Sequence, residues 1–145
     1  MNAEEYEAFI ARLTERYPVM FARPYGGVAV GPGWWPIIET LCHYIQHHVD
    51  WKNEQFNKYG RGQGCPEVTV SQIKEKFGGL RFYYDGGDEY VSGLVSMAEG
   101  WAGHTCEECG KPGKQRSGGW VRTLCDEHEA ERQAKIAERQ AKMKN

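Results

Sequence analysis

The chain has 145 residues and a formal net charge of −2 at pH 7. This length predicts a single domain with room for a small appended module, and the weakly acidic charge provides no general basic field for nucleic acid or an anionic membrane. The N-terminus is acidic and lacks the features of a secretory signal. Glycine and proline interrupt the longest uncharged run, residues 24–38, too often for a membrane-spanning helix. We therefore expect a cytoplasmic protein.

The first half of the chain predicts two amphipathic helices with a short strand between them. Apolar residues at steps of three and four predict the first helix, which Pro18 ends; they are Tyr6, Phe9, Ile10, Leu13 and Tyr17. Residues 28–30 are a candidate strand, and the Gly-Pro-Gly sequence at 31–33 is a tight loop before the second helix. The apolar face of that helix is predicted to contain Trp34, Ile37, Ile38, Leu41, Ile45, His48 and Val49.

Two histidines on the second predicted helix allow a metal site. His43, His47 and Asp50 follow one another at i, i+4 and i+7, so they share one flank of the helix. Histidines are common on helix surfaces, and the sequence offers no fourth ligand here. Both interpretations therefore stay open.

The middle of the chain predicts a loop, a helix, a strand and another helix. Residues 53–66 are polar and glycine-rich and predict a loop, whereas residues 68–77 predict a short helix that a following glycine pair ends. Apolar and polar side chains alternate over residues 80–84 and predict a strand with one buried face. Asp88 is a suitable N-cap for a helix whose apolar face extends to Trp101.

Three of the five cysteines lie near a histidine in the C-terminal third. Cys106-Glu-Glu-Cys109 is a cysteine pair on a tight turn, and fifteen residues separate it from Cys125-Asp-Glu-His128. Mixed thiolate and imidazole ligands at this spacing are typical of zinc, and in a reducing compartment they indicate metal binding rather than disulfides. The sequence therefore predicts one structural Zn²⁺ ion held by these four residues, with His104 as an alternative fourth ligand. Such a closed site leaves no position for a catalytic water.

The segment between the two ligand pairs predicts a hairpin that leads into a helix starting at Cys125. This layout resembles a treble-clef or zinc-ribbon module. Four cations make the segment locally basic, which allows contact with the phosphate of a nucleotide or of nucleic acid. Alternatively, they form a solvated face that balances the acidic residues at 126–131. The four cations are Lys111, Lys114, Arg116 and Arg122.

Near its C-terminus the chain is almost entirely polar, and residues 130–135 are repeated at 137–142. The seven-residue repeat places alanines along one seam of a helix. It favours a free solvated helix and allows weak self-association. The predicted fold is thus a small helix-rich α+β domain with a short β-sheet over residues 1–103, a zinc-binding module packed on it over 104–130, and a polar helical tail over 131–145.

The sequence gives no support for an enzyme, because no Ser-His-Asp or Cys-His combination occurs at a recognisable spacing. Its high aromatic content, with five Trp and eight Tyr, allows a surface on which a base could stack. Aromatic residues also fill ordinary cores. Both interpretations stay open for Trp34, Trp35 and Trp101, and for Tyr83 beside Arg81.

Several segments of the chain resemble those of one family. The segments are Ile73-Lys-Glu-Lys-Phe-Gly-Gly-Leu-Arg-Phe-Tyr83, the helix over 90–101, Cys-Glu-Glu-Cys-Gly-Lys-Pro-Gly followed by Gly-Trp and Leu-Cys-x-x-His, and Gly31-Pro-Gly-Trp-Trp-Pro-Ile-Ile upstream. They are similar to segments of a functionally uncharacterised family of short proteins from tailed phages and prophages, over residues 17–128. The resemblance implies a phage origin and a setting in the cytoplasm of an infected bacterium.

This setting implies a non-catalytic counter-defence protein that captures a nucleotide-type ligand or signal. Such a protein needs a pocket with aromatic walls and a few cationic groups, and the candidates are Trp34, Trp35, Lys74, Lys76, Arg81 and Tyr83. There are two alternatives. One is a zinc-stabilised inhibitor of a host protein, which would use the zinc hairpin and the tail, and the other is a nucleic-acid-binding zinc protein.

Overall fold

In the computed structural model, residues 2–22 and 25–144 are described and form four helices, one 3₁₀ turn and two small sheets. In chain order the elements are α1 (Ala3–Arg16), β1 (Val28–Ala29), the 3₁₀ turn (Pro32–Trp34), α2 (Trp35–Tyr59), β2 (Thr69–Lys76), β3 (Gly79–Asp85), α3 (Glu89–Ala102), β4 (Lys114–Arg116), β5 (Arg122–Leu124) and α4 (Asp126–Met143). This mixture of helices and small sheets is compatible with the α+β class that the sequence predicts. None of the described helices is long and apolar enough to cross a membrane.

Helix α1 has the amphipathic character predicted for it. The side chain of Asn2 accepts a hydrogen bond from the backbone N–H of Glu5 and so caps the first turn. Phe9 and Leu13 are buried, and Pro18 follows shortly after the last helical residue. The predicted helix is confirmed.

Helix α2 is longer than the sequence predicts. The proposed loop over residues 53–66 is wrong in its first half, because α2 continues to Tyr59 and ends at Gly60, whose φ of 63° gives a left-handed cap. No glycine or proline precedes Gly60 in that segment, so no residue there stops the helix. A surface ion pair between Lys58 and Glu54, 3.2 Å apart, supports the last turns.

The predicted helix over residues 68–77 is wrong, because this segment contains strand β2. Val68, Val70 and Ile73 are its buried residues, and a bulge between Val70 and Gln72 shifts the register of pairing with β3. The bulge changes the spacing of buried residues from two to three, and a spacing of three imitates a helix.

A tight turn joins β2 to β3 at the glycine pair that the sequence assigns to a helix end. Phe77 and Gly78 have φ values of 52° and 79°, which is the combination found in a two-residue type I′ hairpin turn. The predicted strand after the turn is confirmed, since Leu80 and Phe82 are buried on one face of β3. β1 pairs in parallel with the other edge of β2, so the sheet order is β1-β2-β3.

One hydrophobic cluster joins helices α1, α2 and α3 to the three-stranded sheet. Its largest fully buried side chains include Trp34, Phe9, Leu13, Met20, Ile38, Ile45, Ile73 and Leu80. Asp88 caps α3 as predicted, accepting a hydrogen bond of 3.1 Å from the backbone N–H of Val91. Trp101, which the sequence assigns to the apolar face of α3, is exposed, so it belongs to the surface rather than to the core.

The C-terminal third forms the β4–β5 hairpin and then α4. Cys106, Leu124 and Cys125 make a second, small cluster of buried residues, whereas no described residue of α4 is buried. The hairpin and the helix that starts after Cys125 confirm the predicted local layout. Helix α4 is continuous through residue 131, where the predicted tail begins.

Candidate metal centre

The first pair of candidate ligands lies on a tight turn after α3. The backbone N–H of Cys106 donates to the carbonyl of Lys111 at 2.8 Å, and that of Gly110 donates to the carbonyl of Cys106 at 2.9 Å. Gly110 has a φ of 81°, a conformation that favours glycine. The turn brings the thiols of Cys106 and Cys109 close together.

The second pair lies where the hairpin meets α4. Strands β4 and β5 pair antiparallel, with Lys114 opposite Leu124, and Cys125 occupies the N-cap position of α4. The thiol of Cys125 accepts a hydrogen bond from the backbone N–H of His128 at 3.5 Å, as the side chain of an N-cap residue commonly does. The helix start therefore brings the sulfur of Cys125 and the ring of His128 together.

The four ligand atoms form one compact group, all within 4.8 Å of one another. The Sγ atoms of Cys109 and Cys125 are 3.8 Å apart, and Sγ of Cys106 lies 3.6 Å from Nδ1 of His128. On a tetrahedral zinc ion two sulfurs lie about 3.8 Å apart and a sulfur and a nitrogen about 3.5 Å, since the bonds are about 2.3 and 2.0 Å long. The structure thus brings the four predicted ligands together in a group that could hold a metal ion.

The surrounding groups shift the pKa values of two candidate thiol ligands, Cys106 and Cys109, in opposite directions. Burial acts to raise the pKa of Cys106, but the backbone N–H groups of Cys125, Cys109 and Glu108 outweigh it and lower that pKa. Desolvation raises the pKa of Cys109, and so do its contacts with the other two thiols, because neighbouring thiolates repel one another. A divalent cation removes this repulsion, so the thiolate form of the group is suited to a metal.

His128 completes the group rather than His104. Its Nδ1 faces the sulfurs, and its Nε2 lies 4.0 Å from the carboxylate of Glu131. A carboxylate near the second ring nitrogen of a ligating histidine holds the ring in its orientation. His104 is exposed and lies outside the group of ligand atoms.

Backbone contacts connect the cysteine turn to the core. The N–H of Gly33 donates to the carbonyl of Glu107 at 2.7 Å, and the indole N–H of Trp34 donates to the carbonyl of Thr105 at 2.8 Å. A Cβ atom at position 33 would lie 2.0 Å from the carbonyl oxygen of Cys106. Only glycine permits this close approach.

A second set of contacts joins the hairpin to the sheet. The hydroxyl of Thr123 donates to the carbonyl of Gly78 at 2.6 Å, and the side-chain amide of Gln115 donates to the carbonyl of Phe77 at 3.2 Å. The candidate metal centre is therefore attached both to the 3₁₀ turn and to the β2–β3 turn.

Three of the four cations proposed for phosphate contact have acidic partners. The pairs are Lys111–Glu127 at 3.6 Å, Arg116–Asp126 at 2.7 Å and Arg122–Glu108 at 2.7 Å. The fourth cation, Lys114, is exposed on β4. Internal pairing reduces the charge that these side chains offer to a ligand, and phosphate contact by the four stays a prediction.

The six residues proposed for nucleotide binding lie in two places. Trp34 has no exposed surface, and Trp35 stacks on Phe9 with ring centroids 4.6 Å apart, so both tryptophans fill the core. The other four share the outer face of the β2–β3 hairpin, and they are Lys74, Lys76, Arg81 and Tyr83. The structure does not bring the two sets together on one surface.

The histidine flank of α2 does not assemble as a set of ligands. The rings of His43 and His47 are 6.3 Å apart, and Asp50 accepts a hydrogen bond from the amide of Gln46 at 2.9 Å. The histidine of this helix that meets other candidate ligands is His48.

A groove beside the cysteine centre is lined mostly by residues that are not among the site residues predicted from the sequence. It has a volume of about 510 Å³ and lies between the loop at Trp120 and one face of α4. Trp120 is 71% exposed. The charged residues that line the groove are Glu108, Arg122, Glu131, Arg132, Lys135 and Arg139. The spacing of the α4 cations by three and four residues is the signal in the sequence that could have identified this face.

Arg132 connects helix α4 to the loop at Trp120, and these two segments form the walls of the groove. Its guanidinium donates to the carbonyl of Gly118 at 3.0 Å and to that of Trp120. Lys135 and Arg139 have no ion-pair partner among the residues that the structure describes. Two cations are therefore available to a ligand next to an exposed aromatic ring.

Comparisons of the chain with models of protein families, with curated proteins and with solved structures find no match. Function is therefore inferred from the site itself.

Proposed function

We propose that Cys106, Cys109, Cys125 and His128 bind one structural Zn²⁺ ion. Three thiolates and one imidazole are a ligand set that suits zinc, and the spacing of the four atoms supports a tetrahedral ion. Four protein ligands complete the coordination, so no position is left for a catalytic water. The order of cysteine turn, hairpin and helix start supports a treble-clef-like module.

We further propose that the protein is a non-catalytic binding protein that captures a nucleotide-type ligand in the groove between Trp120 and α4. The groove is the observation that carries this proposal. An exposed indole can stack on a base, while lysine and arginine side chains hold phosphate oxygens. The groove volume of about 510 Å³ lies within the range of small-molecule sites.

The charge around the groove supports an anionic ligand. Four cations and two acids line it, in a chain whose net charge is −2. Arg122 is paired with Glu108 at 2.7 Å and Arg132 with Glu129 at 3.4 Å, which leaves Lys135 and Arg139 against one acid, Glu131. A local excess of positive charge attracts a phosphate group in preference to a neutral ligand.

The biological role that we propose for this capture is counter-defence in an infected bacterium. Its support is the resemblance of the segment at 73–83 and of the cysteine module to a phage family. Capture of a host signal requires binding without turnover, which agrees with a metal centre that is closed to water.

The test is a calorimetric titration of the zinc-loaded protein with cyclic dinucleotides, ADP-ribose-type nucleotides, a nucleoside and inorganic triphosphate. We expect a nucleotide to bind more tightly than either the nucleoside or triphosphate, because stacking and charge both contribute. Trp120→Ala should weaken binding by about 5- to 150-fold, since base stacking contributes about 1–3 kcal/mol. Absence of heat with every nucleotide would exclude the proposal.

Two further variants locate the site. Lys135→Gln combined with Arg139→Gln should reduce nucleotide binding, because both cations line the groove. Lys142→Gln is the matched control, since Lys142 lies on the same helix outside the groove, and it should bind like the wild type. Equal losses in the double variant and the control would place binding elsewhere.

Nucleic acid is an alternative ligand for the same groove, because its bases and phosphates offer the same chemistry. A nucleic-acid-binding protein would hold longer single strands more tightly than mononucleotides, and its affinity would fall steeply with salt. Titration with oligonucleotides of increasing length at two salt concentrations distinguishes the two functions.

A second candidate function is inhibition of a host protein, and an exposed apolar face favours it. Tyr44, Tyr90, Met97 and Trp101 are exposed and line a groove of about 610 Å³ between α2 and α3. Exposed aromatic and methionine side chains are typical of protein interfaces. Trp101→Ser should abolish binding to such a partner and leave nucleotide binding unchanged, whereas Trp120→Ala should have the opposite effects.

A further inference from the structure

A second group of candidate metal ligands lies where α2, the loop after it and the start of α3 meet. His48, Cys65 and Asp88 have ligand atoms within 4.8 Å of one another. Nε2 of His48 lies 2.8 Å from Oδ2 of Asp88, and the thiol of Cys65 lies within 4.8 Å of both ligand atoms while it donates to the carbonyl of Pro66 at 3.6 Å. The three side chains come from three separate segments, so their meeting depends on the fold.

Each of the three residues is oriented by contacts that leave a ligand atom free for the group. The ring of His48 stacks on that of Tyr90, with centroids 4.2 Å apart. The side chain of Asn53 binds both the N–H and the carbonyl of Cys65, at 2.7 and 3.0 Å. Oδ1 of Asp88 accepts the backbone N–H that caps α3, which leaves Oδ2 for the group. Such outer contacts are the ones that orient ligands in metal sites.

We propose that His48, Cys65 and Asp88 form a second metal site, which takes a zinc-class divalent ion. Nitrogen, sulfur and oxygen donors together suit zinc and cobalt, whereas calcium and magnesium take oxygen ligands. Nitrogen and oxygen atoms on a tetrahedral zinc ion lie about 3.3 Å apart. The ion therefore requires His48 and Asp88 to separate by about 0.5 Å from their present hydrogen bond.

Binding replaces a proton with the ion. Burial raises the pKa of Cys65 to about 11, with Asp88 as the next contributor, so the thiol carries its proton before the ion binds. The S–H bond breaks, a sulfur–metal bond forms, and the proton passes to solvent. The ion also replaces the hydrogen bond between His48 and Asp88 and the one that the thiol of Cys65 donates to the carbonyl of Pro66.

Three protein ligands leave one tetrahedral position open. A cavity of about 450 Å³ adjoins His48 and is also lined by His47, Trp51 and Tyr90. The cavity reaches the group at His48, and we expect water or a small ligand to fill the fourth position from that side. This distinguishes the site from the closed cysteine centre, and we expect its ion to exchange more readily.

The test is the zinc content of the full-length protein after equilibrium dialysis against zinc, for the wild type, Cys65→Ser and Asp88→Asn. We expect each variant to hold one zinc ion fewer than the wild type. Asparagine caps a helix about as well as aspartate but lacks the carboxylate, so Asp88→Asn keeps α3 while it loses a ligand. Its affinity for the second ion should fall by at least the roughly 10–100-fold measured for loss of outer contacts.

Cys42→Ala is the matched control, because Cys42 is fully buried on α2 and belongs to neither ligand group. It should hold as much zinc as the wild type. Cobalt loading gives a second readout: the cysteine centre should give a thiolate band in every variant, and a second cobalt equivalent should strengthen that band in the wild type but not in Cys65→Ser. If the wild type, both variants and the control all hold the same amount of zinc, the three residues form only a hydrogen-bonded cap of α3 and the proposal is overturned.

Discussion

Gly33 shows how a single residue connects the candidate metal centre to the core. Its backbone N–H bonds to the cysteine turn, and its missing side chain lets the two segments touch. The residue is neither a ligand nor part of the hydrophobic core. Its importance comes from the distance between two backbones, which the sequence alone does not reveal.

Gly33→Ala should destabilise the protein by at least about 2 kcal/mol, which is within the range of single substitutions that create steric overlap. Its Cβ would lie 2.0 Å from the carbonyl oxygen of Cys106 and 2.6 Å from the backbone nitrogen of Gly110. Thermal denaturation measures the effect. Gly93→Ala is the control, because a Cβ there has no neighbour within 4 Å and Gly93 lies inside α3. That change should stabilise by about 0.5–1 kcal/mol, and a similar loss in both variants would contradict the close approach at position 33.

At the scale of elements, the β2–β3 turn contains a residue in an unfavourable conformation. Phe77 has a φ of 52°, and this left-handed region costs about 1–2 kcal/mol for a residue with a side chain. Its ring is mostly exposed, so it recovers little of that free energy by burial. A residue that tolerates a positive φ at position 77 should therefore stabilise the turn.

Phe77→Asn should stabilise the protein by about 1 kcal/mol, because Asn-Gly is a preferred pair for a type I′ turn. The midpoint of urea denaturation measures the change. Phe77→Leu is the control and should leave the midpoint unchanged, since leucine has the same difficulty with positive φ. A lower midpoint for Phe77→Asn would show that the ring of Phe77 contributes more to the fold than its exposure indicates.

Elements whose apolar residues recur at a regular spacing could be predicted from the sequence. Elements in which that spacing is interrupted could not. Helix α1 and strand β3 repeat their apolar residues evenly, and both are confirmed. Strand β2 has a bulge at Val70, so its buried residues change spacing halfway and imitate a helix. Helix α2 ends at Gly60. The polar residues before Gly60 have no apolar periodicity from which the last turns of the helix could be predicted.

The two ligand groups differ in the same way. The cysteine centre could be predicted because two short motifs, each on a single turn, supply all four ligands. His48, Cys65 and Asp88 carry no local motif, and only the meeting of α2, the loop after it and the start of α3 brings them together. For Trp34 and Trp35 the sequence leaves both a core and a pocket open, because composition does not indicate which way an indole faces.

At the scale of the whole molecule, the candidate metal centre is connected to both the 3₁₀ turn and the sheet. Cys109→Ser should remove the proposed zinc ion and unfold the β4–β5 hairpin, because structural zinc supplies roughly 10–16 kcal/mol of binding free energy in small zinc modules. Trp34 should report the loss by its fluorescence, since its indole N–H bonds to the carbonyl of Thr105 beside the cysteine turn.

Melting curves with and without a chelator test this prediction. The chelator should lower the melting temperature of the wild type to that of Cys109→Ser, and it should have little further effect on the variant. A wild type that melts at the same temperature in both conditions would show that the ion has no structural role.

Helix α4 begins at the second pair of candidate metal ligands and has no buried residue along its described length. Its 18 residues span about 27 Å, and Arg132 fastens only the part near the base to the loop at Trp120. A tilt of roughly 10° about the first turn displaces the far end by about 5 Å. Under such a tilt the end of the groove near Arg132 would keep its width while the end at Arg139 would widen, so we expect that outer end to accommodate ligands of different thickness.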